Sequence, residues 1–439
     1  LSREPKRTPT IWFETGNLFV YFNWNLHPTG VQRVGLEILR AARAAYGDRV
    51  AFCRLSHYTA RFEPIDYDRI LAASAGPEFG EAASCRLMER PRAVSRQIIR
   101  FLGRYPAMLY HDYLHGRRAE RRFAARVAPG DVVVCLGLPW GSPDYGLRVA
   151  AAKRRYGVRF ALLIHDVIPF TDPDLSHRTF MMGFRRGFQI AIGACDLVFV
   201  SSEFCRAAID KLCRERGWPL ARIARIPFGA GFAIEAAGAA VRPMEWPARF
   251  VLFVSSIDRR KNHALMLRVW RRLLERHGAA AVPSLIFLGG GGDNVGTILA
   301  EARADETLRA KVTMIRSASD NLVREAYRRC LFTVYPSFTE GWGLPVAESL
   351  AFGKFCIVSN RASLPEVGGD LVDYLDPADD DMALAMVERA LYEPGYLAAR
   401  TARIVADYRE PTWDECARAL VAAADTLDEA KPLPGRASI

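Results

Sequence analysis

The sequence predicts an α/β protein built as two doubly wound domains that face each other across a cleft. Three observations lead there. Short apolar runs alternate with helix-period patterns along nearly the whole chain, the signature of parallel strands joined by crossover helices. The alternation lapses once, over residues 229–248, a stretch rich in Gly, Ala and Pro, and then restarts. The charge also divides there: residues 1–250 hold 37 Lys/Arg against 23 Asp/Glu, and residues 251–439 hold 23 against 26. A chain of 439 residues, half hydrophobic and one quarter charged, is too long for one ordinary core. Its composition excludes a disordered chain, a collagen and a small disulfide scaffold.

The first domain is expected over 1–235. Thr10–Phe13 is a short apolar start, and Val31, Val34, Leu36, Ile38, Leu39 and Ala42 recur at helical spacing behind the turn Pro28-Thr29-Gly30. Val50–Leu55, Asp131–Leu138, Phe160–Ile164, Asp196–Val200 and Ile223–Pro227 read as strands. Residues 56–85 read as irregular, and Ser201 or Ser202 caps a helix running to Leu212. The second domain is expected over 245–408, with strands at Phe250–Val254, Leu285–Leu288, Val312–Ile315, Phe332–Tyr335 and Phe355–Val358. Residues 409–439, from about Trp413, read as a helix returning to the first domain, followed by a tail.

Ligands of open α/β sheets sit at the carboxyl ends of the strands, and the chemically informative residues follow strands. Glu340-Gly-Trp-Gly-Leu-Pro-Val-Ala-Glu348 comes after Phe332–Tyr335. Its glycines admit close backbone approach, and Pro345 suits a first helical turn whose free N–H groups face a ligand. Two carboxylates beside free N–H groups suit a polyhydroxylated partner, whose hydroxyls both donate and accept. Arg260-Lys261-Asn262, just past Phe250–Val254, crowds cations where a diphosphate would sit; a solvated turn is the plainer reading of such a run. His165-Asp166 ends a first-domain strand, and Thr29-Gly30-Val31-Gln32-Arg33 is a glycine turn opening a helix.

Together these residues resemble the retaining glycosyltransferases of family 4, which have the GT-B fold of two Rossmann-like domains. The likeness covers nearly the whole chain, and its most specific part is Glu340-x7-Glu348. The resemblance implies that Glu340 meets the donor sugar's hydroxyls and Glu348 the nucleotide ribose. Gly30 and the backbone of Gly341, Trp342, Gly343 and Leu344 would hold sugar and phosphate oxygens. Trp342 stands where the family usually has Phe. Arg260, Lys261 and Asn262 match its diphosphate-binding Arg-Lys-Asn, and His165 its histidine beside the donor sugar. Arg33 and Asp166 would face the acceptor. The segments 29–33 and 165–169 look like the bacterial polysaccharide branch that often transfers mannose. The implied reaction moves mannose from GDP-mannose, with retention, to a glycan or a polyprenyl-diphosphate-linked acceptor.

In such a reaction negative charge grows on the leaving diphosphate, where Arg260, Lys261 and helix N-termini would stabilise it. No metal or other cofactor is expected. Asp66-Tyr-Asp68, Asp172-Pro-Asp174 and Asp379–Asp381 follow no convincing strand and read as turns or a helix start. Gly289–Gly292 lacks the dinucleotide spacing and reads as a phosphate- or nucleoside-side loop. The nine scattered cysteines, without a C-x-x-C pair, argue against a disulfide framework or zinc site and for a reducing cytoplasm. No stretch approaches 18 uninterrupted apolar residues, and the polar, basic start does not read as a signal peptide. Residues 86–126 hold eleven Arg against three acidic residues with apolar residues between. They suit either a solvated helical hairpin or docking on an anionic membrane, such as the inner face of the plasma membrane. No nucleic-acid module is present. A non-catalytic protein that binds sugar or anionic polymer on the same fold is the rival reading.

Overall fold

A computed structural model of the chain describes residues 7–24, 28–55, 61–74, 116–139, 144–176, 178–231, 244–292, 295–316 and 318–428. Its first domain runs β1 (Ile11–Glu14), α1 (Gly16–Trp24), α2 (Gly30–Tyr46), β2 (Val50–Leu55), β3 (Phe62–Pro64), α3 (Tyr67–Ser74), α4 (residues 116–124), β4 (Val132–Cys135), α5 (Tyr145–Tyr156), β5 (Arg159–Leu163), α6 (Ile168–Thr171), α7 (Arg178–Ala194), β6 (Leu197–Val200), α8 (Glu203–Arg216) and β7 (Arg222–Arg225). The second runs β8 (Phe250–Val254), α9 (His263–Ala281), β9 (Ser284–Leu288), α10 (Val295–Ala304), α11 (Glu306–Lys311), β10 (Val312–Ile315), α12 (Asp320–Arg329), β11 (Thr333–Tyr335), α13 (Leu344–Ala351), β12 (Cys356–Ser359), α14 (Leu364–Gly368), β13 (Asp373–Leu375), α15 (Asp380–Tyr392) and α16 (Tyr396–Asp407). α17 (Trp413–Asp425) follows.

The first sheet has the order β3-β2-β1-β4-β5-β6-β7, parallel except for the β2–β3 pair, and the second the all-parallel order β10-β9-β8-β11-β12-β13. Strand order reverses between β1 and β4 in the first and between β8 and β11 in the second. The crevices at these reversals are where an open sheet receives its ligand. Helices cover both faces, so inner strands such as β4, β6 and β8 are apolar without interruption, whereas the edge strand β7, Arg-Ile-Ala-Arg, has exposed ends. In β1, Ile11 and Phe13 enter one helical layer and Trp12 the other; in β8, Val251 and Phe253 divide in the same way from Phe250 and Leu252.

α17 lies against α2 and adds Trp413, Cys416, Ala417, Leu420, Val421 and Ala424 to the core of the first domain. Thr412 and Glu415 form a reciprocal capping box that fixes its start. A Cβ on Gly229 would lie 2.6 Å from the Trp413 ring, so the end of the first domain and the start of α17 touch almost backbone to ring.

Residues 56–85 are not wholly irregular: β3 pairs antiparallel with β2, and α3 follows it. An edge strand of three residues has too little period to read from sequence. Ser202, not Ser201, caps α8, accepting from the Cys205 N–H at 3.1 Å. Most of the expected linker, 232–243, and most of the basic stretch, including Arg92, Arg96, Arg100 and Arg104, lie outside the described residues. Among the described residues no helix is long and apolar enough to cross a membrane. Among the described residues eight cysteines are buried and free.

Candidate active site

The loops after β8 and β11, the two strands at the second sheet's reversal, carry the charged centre. Arg260 and Lys261 lie in a short 3-10 turn ahead of α9, and Asn262 enters that helix at φ 62°. Lys261 Nζ donates to Glu340 Oε1 at 2.5 Å and to the Tyr335 hydroxyl at 2.8 Å, and Tyr335 donates to the same Glu340 oxygen at 3.0 Å. Arg260 Nη1 pairs with the other Glu340 oxygen and donates to the Thr339 carbonyl. Two cations thus grip one buried carboxylate, and the charges of Asp166 and Asp258 also act on Arg260 and Lys261 respectively. Burial alone would raise the Glu340 pKa, but Arg260 and Lys261 outweigh it and hold the group down at about 2. Burial first, and Arg260 second, push the Lys261 ammonium below its ordinary value, against the pull of Glu340.

Asn262 closes the same turn. Its side-chain amide donates to the Pro377 carbonyl at 2.8 Å, which anchors the turn to the loop after β13.

The Gly341–Gly343 loop is fixed from both domains. Ser363 Oγ lies 2.9 and 2.8 Å from the carbonyls of Glu340 and Trp342. From the first domain, Ser202 and Ser201 donate to the Gly341 carbonyl at 2.9 and 3.3 Å. Gly341 is required here: a Cβ would stand 1.9 Å from the His165 carbonyl oxygen. Gly343 adopts φ 118°, and α13 starts at Leu344 with Pro345 in its first turn. Leu344 approaches Gly30, so the N-termini of α13 and α2 meet across the cleft.

His165 ends the chain segment after β5. Its Nε2–H donates to the Leu136 carbonyl at 2.8 Å, and burial pushes its pKa below the ordinary 6.5, which favours the neutral ring. Phe228 links it to the cleft, with ring centroids 6.1 Å from His165, Trp342 and Trp413 alike. The Asp166 carboxylate accepts from the Ile168 N–H at 3.1 Å, and its charge reaches Arg260 in the other domain.

Arg33, expected to face an acceptor, forks across the cleft. Nη1 meets Glu348 Oε1 at 2.8 Å and Nη2 meets Asp320 Oδ1 at 2.7 Å. Tyr327 donates to the remaining Glu348 oxygen at 2.8 Å. Burial raises the Glu348 pKa, with Arg33 opposing it. The structure therefore makes two clusters in the second domain, one around Glu340 and one around Glu348, with His165, Asp166, Gly30 and Arg33 brought to them by the first domain. Sequence reasoning missed Tyr335, Tyr327, Asp320, Ser202 and Glu366, whose carboxylate accepts from the Glu203 and Phe204 N–H groups at the start of α8, each at 2.7 Å. Only Ser202 had a local signal, as a helix cap. Among the described residues no group of three or more His, Cys, Asp or Glu gathers as a metal site would.

Residues 245–403 match the family model of the glycosyl transferases group 1. The chain carries a group 1 glycosyltransferase domain. The O-antigen chain mannosyltransferase B of Escherichia coli is 27% identical over 267 residues, covering 59% of this chain and 68% of that protein. The serotype-specific mannosyltransferase WbdA of Escherichia coli is 24% identical over 325 residues, 70% of this chain but 39% of WbdA. Among solved structures, a sucrose-phosphate synthase from Thermosynechococcus elongatus superposes with a TM-score of 0.59 at 17% identity, over 97% of this chain and 100% of that one. A trehalose-6-phosphate protein from E. coli bound with UDP-2-fluoro glucose gives 0.57 at 12%, over 95% and 99%. The fold of this glycosyltransferase is GT-B, two Rossmann-like domains across a cleft.

Proposed function

We propose that this glycosyltransferase moves mannose, with retention, from GDP-mannose to a glycan or lipid-linked oligosaccharide acceptor in polysaccharide assembly. One observation carries the donor half of this reading: Glu340 is held ionised between Arg260 and Lys261, at the strand-order reversal of the second sheet. Such a carboxylate accepts from a sugar hydroxyl that displaces one of its present donors, while Arg260, Lys261 and the N-terminus of α13 face the leaving diphosphate. In this reading charged side chains and helix ends meet the growing negative charge without a metal, and the phosphate itself takes the acceptor's proton. Glu348 reads the ribose, and neutral His165 stands beside the sugar. The choice of mannose rests on the two Escherichia coli relatives, both named mannosyltransferases. The acceptor belongs to the first domain, and the basic stretch over 86–126 would rest on anionic lipid if that acceptor is membrane-borne.

A thermal-shift series with GDP, UDP, dTDP and ADP, each free and as its sugar conjugate, tests the donor. GDP and GDP-mannose should stabilise most, and radiolabelled mannose should pass to a glycan acceptor with EDTA present. Preference for a uridine donor would remove the mannose assignment. Loss of transfer in EDTA, restored by magnesium, would remove the metal-free mechanism.

A further inference from the structure

Arg33 sits in the first turn of α2, in the first domain, yet its guanidinium is spent on the second domain. It bridges two carboxylates on different helices, Glu348 of α13 and Asp320 of α12. Both Glu348 oxygens are engaged, one by Arg33 and one by Tyr327, and the residue is only 2% exposed. The Arg33 side chain itself is 13% exposed, Asp320 28%. A pair of hydroxyls cannot reach a carboxylate covered this fully unless a covering group moves. Tyr327 is fixed within the second domain, stacked on Phe352 with ring centroids 5.2 Å apart. Arg33 belongs to the other domain and can leave with it.

We infer that Arg33 is an interdomain latch that competes with the donor nucleotide's ribose for Glu348. The inference rests on the assignment of Glu348 to the ribose. When the guanidinium is on Glu348 and Asp320, the cleft is held shut at α2, α12 and α13. When a nucleotide seats, its ribose hydroxyls replace Nη1 as donors to Glu348, and α2 is free to readjust. No bond is made or broken in this exchange, only hydrogen bonds and one ion pair. It couples donor entry to domain movement through a positioning residue, not a catalytic one. The fork suits arginine, whose two terminal nitrogens each reach one of the two carboxylates, whereas an ammonium would have to reach both from a single nitrogen.

The distinctive consequence is that shortening a charged side chain should strengthen ligand binding. If latched molecules leave roughly 10–30% of the population competent, removing the latch tightens the apparent Kd by about three- to tenfold. GDP binding to the full chain should be measured by titration calorimetry for wild type, Arg33→Gln, Arg33→Lys, Asp320→Asn and Glu348→Gln. The latch predicts a lower Kd in Arg33→Gln, a smaller gain in Asp320→Asn and Arg33→Lys, and loss of binding in Glu348→Gln. Small-angle scattering without nucleotide should show a larger radius of gyration for Arg33→Gln and Asp320→Asn than for wild type. Asp320→Asn keeps the test alive if Arg33→Gln folds poorly. Wild-type binding lost in Glu348→Gln but unchanged or weakened in Arg33→Gln and Asp320→Asn would overturn the latch and leave the donor assignment standing. No binding of any nucleoside diphosphate by wild type or Arg33→Gln would overturn the donor assignment and the latch with it.

Discussion

At the scale of single residues, the Glu340 cluster divides labour between two cations that look alike in sequence. Arg260 also holds the Thr339 carbonyl, so it shapes the loop as well as charging it. Lys261 is more deeply enclosed, and among the described residues its ammonium donates to Glu340 and Tyr335. Lys261→Ala should therefore act on the leaving group more than on the loop and lower kcat/KM at least tenfold, about 1.4 kcal/mol. Steady-state kinetics at saturating acceptor would show it, and wild-type turnover would remove the diphosphate assignment. His263 makes a second prediction at this scale. It is buried beside Lys261 with its Nε2 3.2 Å from Ser255 Oγ, and burial, then the Lys261 charge, lower its pKa from 6.5 to about 3. The unfolded chain takes up this proton near pH 6.5 and the folded one only near pH 3. Stability therefore falls as pH drops through that window, by up to ~1.4 kcal/mol per pH unit from this group. Denaturant titrations at pH 7, 6 and 5 should show a flatter slope in His263→Asn than in wild type.

Elements, not residues, make the cleft narrow. α13 and α2 bring their N-termini together, and the loop before α13 rests its Gly341 backbone on the His165 carbonyl. Nothing there can yield, because the contact is backbone to backbone. Gly341→Ala should force the domains apart at this point and lower transfer kcat/KM at least tenfold, about 1.4 kcal/mol. Nucleotide binding, which the second domain supplies, should survive. A parallel loss of GDP affinity would mean that the loop had refolded instead of the cleft opening. Glu366 adds a carboxylate to the N-terminus of α8 from across the cleft, where helix N–H groups and dipole both favour it.

Across the whole molecule, α17 is what makes the chain more than two domains in series. After α16 the chain leaves the second domain and buries Trp413 in the first, against Gly229 and Phe228. Phe228 in turn meets Trp342 and His165, so the returning helix is one ring contact away from the cleft. Trp413→Ala should cost about 3–5 kcal/mol, the range for emptying a large aromatic site. The loss should appear in the first domain's unfolding transition, with the second domain's transition little changed. A shift confined to the second domain's transition would contradict the packing.

The sequence by itself determined the layering, because parallel strands covered on both faces must be apolar throughout and their crossover helices must show a helical period. It also placed Glu340, Glu348, Arg260, Lys261 and His165, since a loop at a strand's carboxyl end is legible once the strand is. Short elements such as β3, α3 and β13 were not legible, having too few residues for a period to emerge. The partners were not legible either. Arg33 lies 315 residues from Glu348 and 287 from Asp320, and Ser202 lies 139 from Gly341. Which side chains meet at those separations is set by how two finished domains are placed against each other. That placement depends on the fit of whole surfaces, on a glycine without a Cβ and on a helix that crosses back, and no local run of residues encodes it.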